Sequence, residues 1–237
     1  MVAIITGASR GIGYETARYL SRSSGMQVYA LSRNREGLEQ LARDQVEGVS
    51  GSVIIPVVFD LEQFLEEPVL IDDLIRQVPG HVDIVINNAG YLVNRPFEEL
   101  DLKEWERIYR TNVFAPAMLV KHLLPVLGKA GTSHVVNISS MGGYQGSVKF
   151  AGLSAYSSSK AALACLTECL GLEYRETDIV FNCLALGSVQ TEMLAEAFPG
   201  YQAEMSAARM AEYIGEFALT GHRYFRGKII PVSSGTP

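Results

Sequence analysis

The chain has 237 residues, 48% of them hydrophobic and 19% charged, which is enough for one large core. Its net charge of −6 and a pI near 5.3 argue against nucleic acid or an anionic membrane as a main partner, because both need clustered positive charge. Three cysteines without motif spacing (Cys165, Cys169, Cys183), no leader before the apolar run at Val2 and no span-length apolar stretch predict a soluble cytoplasmic protein with its cysteines in the core.

Short β-branched runs alternate with segments of helical period. The first run, Val2 to Ile5, leads into Thr6-Gly7-Ala8-Ser9-Arg10-Gly11-Ile12-Gly13, which opens a predicted helix over 11–23. A glycine-rich turn between strand and helix is the setting of a phosphate loop. Gly7 permits the tight turn, Gly11 lets backbone approach a pyrophosphate, and Gly13 allows the helix to pack closely on the strand. The helix N-terminus supplies free N–H groups and positive dipole.

The second run, Gln27 to Leu31, ends at Ser32 and Arg33 with no acid. A carboxylate there would bind a ribose 2′-hydroxyl and repel a 2′-phosphate. Arg33 with Arg10 can instead clamp a 2′-phosphate, which favours NADP(H) over NAD(H). Two ordinary surface arginines are the alternative.

A helix over 34–47, a third run from Val53 to Phe59 and a helix over 68–78 follow. The acidic residues Asp60, Glu62, Glu66, Glu67, Asp72 and Asp73 read as a solvated helix face. The fourth run, Val82 to Ile86, precedes Asn87-Asn88-Ala89-Gly90. A long helix is predicted over 100–127, with Trp105, Tyr109, Phe114 and Met118 in the core. The fifth run, His134 to Ile138, ends in Ser139 and Ser140.

In the helix predicted over 155–177, Tyr156 and Lys160 stand four residues apart and leave on one face. An ammonium beside a phenol favours the phenolate, so Lys160 is expected to lower the Tyr156 pKa from about 10 toward general acid–base use. On spacing alone, a surface tyrosine and lysine satisfy the same pattern. The sixth run, Ile179 to Leu184, precedes an irregular stretch over 187–206, expected to form a substrate lid with a short helix near 192–197. A helix over 207–219 and a seventh run, Lys228 to Val232, end the chain.

Seven strands alternating with six helices imply one α/β domain over 1–237, a doubly wound parallel sheet with helices on both faces and strands apolar on both sides. Ligands of such sheets bind beyond the carboxyl ends of the strands. The substrate walls are therefore expected from Tyr91, Leu92, Val93, Met141, Tyr144, Phe150, Met193, Leu194, Phe198 and Tyr201, an apolar and aromatic set with Lys149 nearby. That set suits a hydrophobic ketone or aldehyde. The four histidines, His81, His122, His134 and His222, share no ligand spacing, so no metal site is expected.

In the order and context of these motifs, the whole chain resembles a short-chain dehydrogenase/reductase of the Tyr-Lys type with a Rossmann fold. The resemblance implies an NADPH-dependent reductase in which Tyr156 protonates the carbonyl oxygen and Ser140 hydrogen-bonds it. It also implies that Lys160 holds the nicotinamide ribose and lowers the tyrosine pKa, while Asn112 positions a water that relays protons to Lys160. It puts Asp60 and Leu61 beside the adenine, Asn88, Ala89 and Gly90 beside its ribose, and Gly187, Val189 and Thr191 toward the nicotinamide. Two departures stand out: a short insertion between Ser140 and Tyr156, within 146–152, and Leu186-Gly187 where relatives have Pro-Gly, which leaves that turn less constrained.

Helices 100–127 and 155–177 are apolar on more faces than one sheet can cover, so a homodimer or homotetramer through them is expected. Narrower readings are an oxoacyl-thioester, hydroxysteroid or pterin-type reductase. A reading from another class is a regulatory protein that senses NADPH without turnover.

Overall fold

The computed structural model describes residues 1–24, 26–44 and 51–233. Seven parallel strands form one sheet in the order β3-β2-β1-β4-β5-β6-β9. These are β1 (Val2–Thr6), β2 (Gln27–Ser32), β3 (Val53–Val58), β4 (Ile84–Asn87), β5 (Ser133–Ser140), β6 (Ile179–Leu186) and β9 (Lys228–Val232). The chain runs outward from β1 to β3, returns to β4 and continues the other way. This reversal leaves a crevice at the carboxyl ends of β1 and β4.

Alternation along the strands feeds two cores. Ala3 and Ile5 of β1 meet α1 (Gly11–Ser24), α2 (Arg35–Arg43) and α9 (Ala207–Thr220) through Leu20, Leu38, Leu41 and Ile214. Val2 and Ile4 point the other way, toward α4 (Leu70–Gln77) and α6 (Ala115–Leu123) through Ile71, Leu74, Leu119 and Leu123. Burial at about 25 cal/mol per Å² makes these two layers the main stabilisation. The expected apolarity on both faces holds for the central strands. It fails at the edge strand β3, where Val53 and Val58 are 37% and 47% exposed because no helix covers those positions.

The helix expected over 34–47 is described to Arg43, and 45–47 lie outside the described residues. A short helix not among the expected elements, α3 (Leu61–Glu66), precedes α4. Asp60 caps α3, its carboxylate accepting the Glu62 N–H at 2.8 Å.

The expected continuous helix over 100–127 is instead interrupted. After α5 (Leu102–Tyr109), residues Arg110–Phe114 make a π-turn, with the Ala115 N–H donating to the Arg110 carbonyl five residues back. Pro116 explains it: having no N–H for the Asn112 carbonyl, and clashing with it, it forces the backbone wide. A second proline, Pro125, closes the helix in a 3₁₀ turn.

α7 (Ser154–Glu173) carries Tyr156 and Lys160. Contrary to expectation, Cys165 and Cys169 are exposed on its outer side, near Leu172 at 67% exposure, and only Cys183 is buried. Phe114, expected in the core, is 51% exposed. All four belong to the α5–α7 region, whose outer side the sheet does not reach.

Between β6 and α9, a strand of two residues, β7 (Val189–Gln190), pairs in parallel with β8 (Met205–Ser206), and α8 (Glu192–Ala197) lies between them. At the far end of the sheet, the buried His134 of β5 donates from Nδ1 to the Ala218 carbonyl at 2.9 Å. Its Nε2 receives the Asn182 amide at 3.0 Å.

Candidate active site

The crevice opens into a cleft of about 980 Å³ that runs from the glycine loop to α8. Gly7 (φ +68°) and Gly11 (φ +58°) adopt backbone that side chains disfavour. A Cβ on Gly13 would stand 2.4 Å from both the Asn88 amide and the Gly7 carbonyl. Asn88 fastens β4 to this loop, its amide donating to the Thr6 and Gly7 carbonyls at 3.0 and 3.3 Å. Beside it, Thr6 Oγ1 accepts the N–H groups of Asn88 and Ala89. Ser9, Ile12, Ala89 and Gly90 line the cleft, whereas Gly13 lies behind it as helix–strand packing.

At the other end of β2, Ser32 donates to Ser9 Oγ at 2.8 Å and ties strand to loop. Arg10 and Arg33 both line the cleft, and each is held by a carboxylate. Arg10 pairs with Glu196 of α8 at 3.0 Å and Arg33 with Glu62 at 3.2 Å. Asp60 and Leu61 line the same end.

Tyr156, Lys160, Ser139 and Ser140 meet on the opposite wall. Ser139 is spent on structure, donating to the Lys160 carbonyl at 2.8 Å. Ser140 Oγ accepts the Gly142 N–H at 3.1 Å and is hydrogen-bonded to the Tyr156 hydroxyl. Lys160 is buried, and its Nζ donates to the Ile138 carbonyl at 2.8 Å, 5.9 Å from the centre of the Tyr156 ring.

The expected lowering of the Tyr156 pKa is not what the structure has. Although the residue surface is only partly buried, desolvation pushes its hydroxyl up to about 12, with the Ser140 hydrogen bond working against the shift. Burial likewise drives Lys160 down to about 8, and the lysine spends its hydrogen bond on a carbonyl rather than on the phenol.

Asn112 sits in the π-turn with no exposed surface. Its Oδ1 accepts the Tyr91 N–H at 2.8 Å, and its Nδ2 donates to the Tyr91 carbonyl and to Ser159 Oγ, each at 2.9 Å. The side chain therefore clamps the turn after β4 from below and is satisfied by protein groups. A Cβ on Gly90 would lie 3.4 Å from Lys160 Nζ and 3.5 Å from Asn112 Oδ1, so Gly90 borders both groups at ordinary contact distance.

Of the residues expected around a substrate, Tyr91, Leu92, Met141, Phe150, Met193, Leu194, Phe198 and Tyr201 line the cleft. Tyr144 and Val93 do not. Tyr144 turns away because its N–H closes the 3₁₀ turn on Met141 and its carbonyl accepts from Lys149 Nζ at 2.6 Å. Lys149 is thereby tied inside the inserted loop. The Gly187 turn is held by the sheet, its N–H donating to the Val232 carbonyl at 2.9 Å. Gly187, Val189 and Thr191 line the cleft just beyond.

A glycine loop at the switch point of a parallel sheet, with a tyrosine, a lysine and a serine converging across a cleft, defines a dinucleotide-binding oxidoreductase fold. The family model described as short chain dehydrogenase matches residues 1–202, and the chain belongs to that family. The oxidoreductase YxjF of Bacillus subtilis (strain 168) is 33% identical over 193 residues, 81% of this chain and 72% of that protein. Bovine dehydrogenase/reductase SDR family member 7B is 34% identical over 203 residues, 83% of this chain, and the chain spans only 60% of its length.

Among crystal structures, a short chain dehydrogenase from Salmonella enterica serovar Typhi CT18 superposes with a TM-score of 0.86 at 30% identity, covering 97% of this chain and 94% of that one. A short chain dehydrogenase from Escherichia coli CFT073, complexed with NADPH, gives 0.84 at 29% identity, covering 97% and 95%. Among the described residues, no group of three or more His, Cys, Asp or Glu is placed to hold a metal, and no helix is long and apolar enough to cross a membrane.

Proposed function

We propose that the protein is an NADPH-dependent carbonyl reductase acting on hydrophobic ketones or aldehydes. The observation that carries this reading is the convergence of Ser140, Tyr156 and Lys160 on one wall of the cleft. The residues opposite fit a phosphorylated dinucleotide: Gly7 and Gly11 put no side chain between loop and ligand, Gly13 lets the helix pack closely behind them, and Arg10 and Arg33 offer two cations. NADPH bound in a short chain dehydrogenase of similar structure supports the same cofactor. What NADPH supplies when bound is a hydride for the carbonyl carbon.

This chain's own residues handle the proton. Tyr156, held neutral by burial, protonates the carbonyl oxygen, and Ser140 donates a second hydrogen bond to that oxygen as its charge grows. Lys160, with a pKa near 8, is charged at neutral pH and stabilises the tyrosinate left behind. Asn112 is a positioning residue that acts through the Tyr91 backbone. Residues 187–206 act as the lid, with Met193 and Phe198 of that segment lining the same cleft as Met141 and Phe150.

A panel of aliphatic and aromatic ketones, aldehydes and diketones, followed by loss of NADPH absorbance, tests the reading, and turnover is expected with the apolar members. Tight NADPH binding without turnover of any would overturn it in favour of an NADPH-sensing protein.

We further infer a homodimer or homotetramer through the α5–α7 region, where Leu102 (71%), Leu172 (67%) and Phe114 (51%) are exposed together with Cys165 and Cys169. A single monomeric species in sedimentation at micromolar concentration would refute it.

A further inference from the structure

Arg33 does not face the cleft alone. Its Nη1 lies 3.2 Å from Glu62 Oε1, and the same oxygen accepts from Arg107 Nε, also at 3.2 Å. Glu62 belongs to the first turn of α3 and lines the cleft. Arg107 comes from the last turn of α5 and is fixed independently of Glu62. Its guanidinium lies 4.4 Å from the centre of the Tyr91 ring, and its Nη1 is 3.5 Å from the Tyr91 hydroxyl. One carboxylate oxygen is thus shared by two guanidiniums.

The charge count decides what an incoming phosphate meets. Arg33 with Glu62 alone sums to zero, and the carboxylate would both occupy the guanidinium and repel a 2′-phosphate. Arg107 raises the sum to +1 and gives Glu62 another partner when Arg33 turns to the ligand. Resting on the NADP(H) reading above, we propose that Arg107 is a specificity-determining residue: by holding Glu62, it frees Arg33 and sets the preference for a 2′-phosphorylated over an unphosphorylated nucleotide.

The three side chains are 56%, 32% and 43% exposed for Arg33, Glu62 and Arg107, so solvent and salt screen them. A unit charge about 7 Å from a phosphate in such surroundings changes affinity by roughly threefold to tenfold at low ionic strength. Calorimetric titration of the full-length protein with adenosine 2′,5′-bisphosphate and with AMP isolates this term without requiring turnover.

Arg107→Met, which keeps an apolar stem over Tyr91, is expected to weaken the bisphosphate about threefold to tenfold and leave AMP unchanged. Glu62→Gln is expected to tighten it by a similar factor, and Arg107→Lys to restore most of the wild-type value. In the Glu62→Gln background, Arg107→Met should have a smaller effect, because only the through-space charge of Arg107 remains and no carboxylate is left to be held. Equal weakening of both nucleotides by Arg107→Met, or an undiminished effect in the Glu62→Gln background, would overturn the proposal.

Arg33→Ala separates the two levels. Discrimination that survives Arg33→Ala would sink the cofactor reading itself. Discrimination lost in Arg33→Ala but untouched by Arg107→Met and Glu62→Gln would sink only the role of Arg107.

Discussion

Replacing Tyr156 with phenylalanine is expected to lower kcat by about 10² to 10⁴-fold, the range for loss of a positioned proton donor. NADPH affinity should stay nearly unchanged. The substitution removes one oxygen and keeps the ring, and Lys160 stays anchored because its Nζ bonds to the Ile138 carbonyl rather than to the phenol. Ser140 keeps its bond from the Gly142 N–H and still offers a hydrogen bond to the substrate, so a residual rate above background should remain. Transient kinetics with NADPH separates the two quantities. A large loss of cofactor affinity with a small change in kcat would mean that the hydroxyl binds rather than reacts.

The second large effect concerns stability against pH. Burial pushes His134 from its ordinary 6.5 down to about 4, with the nearby His222 working in the same direction. The unfolded chain takes up a proton on this imidazole near pH 6.5, and the folded chain only near pH 4. In that window the unfolded state binds more protons, so stability falls as pH drops, by about 3 kcal/mol in total by pH 4, and is complete above 6.5.

The hydrogen bonds show why the folded ring resists. A proton on Nε2 would confront the Asn182 amide N–H. That amide cannot reverse without losing the Phe225 carbonyl at 2.9 Å and the Lys228 N–H at 3.1 Å. The other groups against the ring, Phe217 and the Ala218 carbonyl, do not titrate, and His222 is itself shifted downward by burial. Urea midpoints at about pH 7 and about pH 5 should fall steeply for the natural chain. They should fall less for His134→Gln, which starts lower because it gives up one of the two bonds. Parallel slopes would remove His134 as the cause.

Features governed by local pattern were legible from residues alone. The strands, the glycine loop and the Tyr156/Lys160 face follow from period, glycine placement and helical spacing, and the structure reproduces them. Only the family resemblance separates Ser140 from Ser139 in the sequence; the structure adds that the Ser139 hydroxyl is committed to the Lys160 carbonyl. The π-turn was missed although its cause is written in the chain at Pro116, because the apolar period runs through it unbroken.

What sequence could not carry depends on distant partners. Glu62 and Arg107 are 45 positions apart, and nothing local announces that they share one oxygen with Arg33. The direction of the Tyr156 shift was misjudged because spacing reports that a lysine is near but not that the wall is desolvated, nor where the ammonium spends its hydrogen bond. Cys165 and Cys169 were assigned to the core from residue type, whereas the helix face that carries them points away from the sheet.

The pairing of β7 with β8 has a mechanical meaning. With α8 between them, these strands repeat the strand–helix–strand grammar of the whole domain in miniature, and Gln190 Oε1 accepting the Ala203 N–H at 2.8 Å draws the neck tighter. The ends of the 191–204 stretch are thus already together, and lengthening such a closed loop even twofold costs only about 0.6 kcal/mol. Under the proposed function, its tip can be rewritten residue by residue while β6, α9 and the wall bearing Tyr156 remain untouched, which would leave selectivity and catalysis free to change separately.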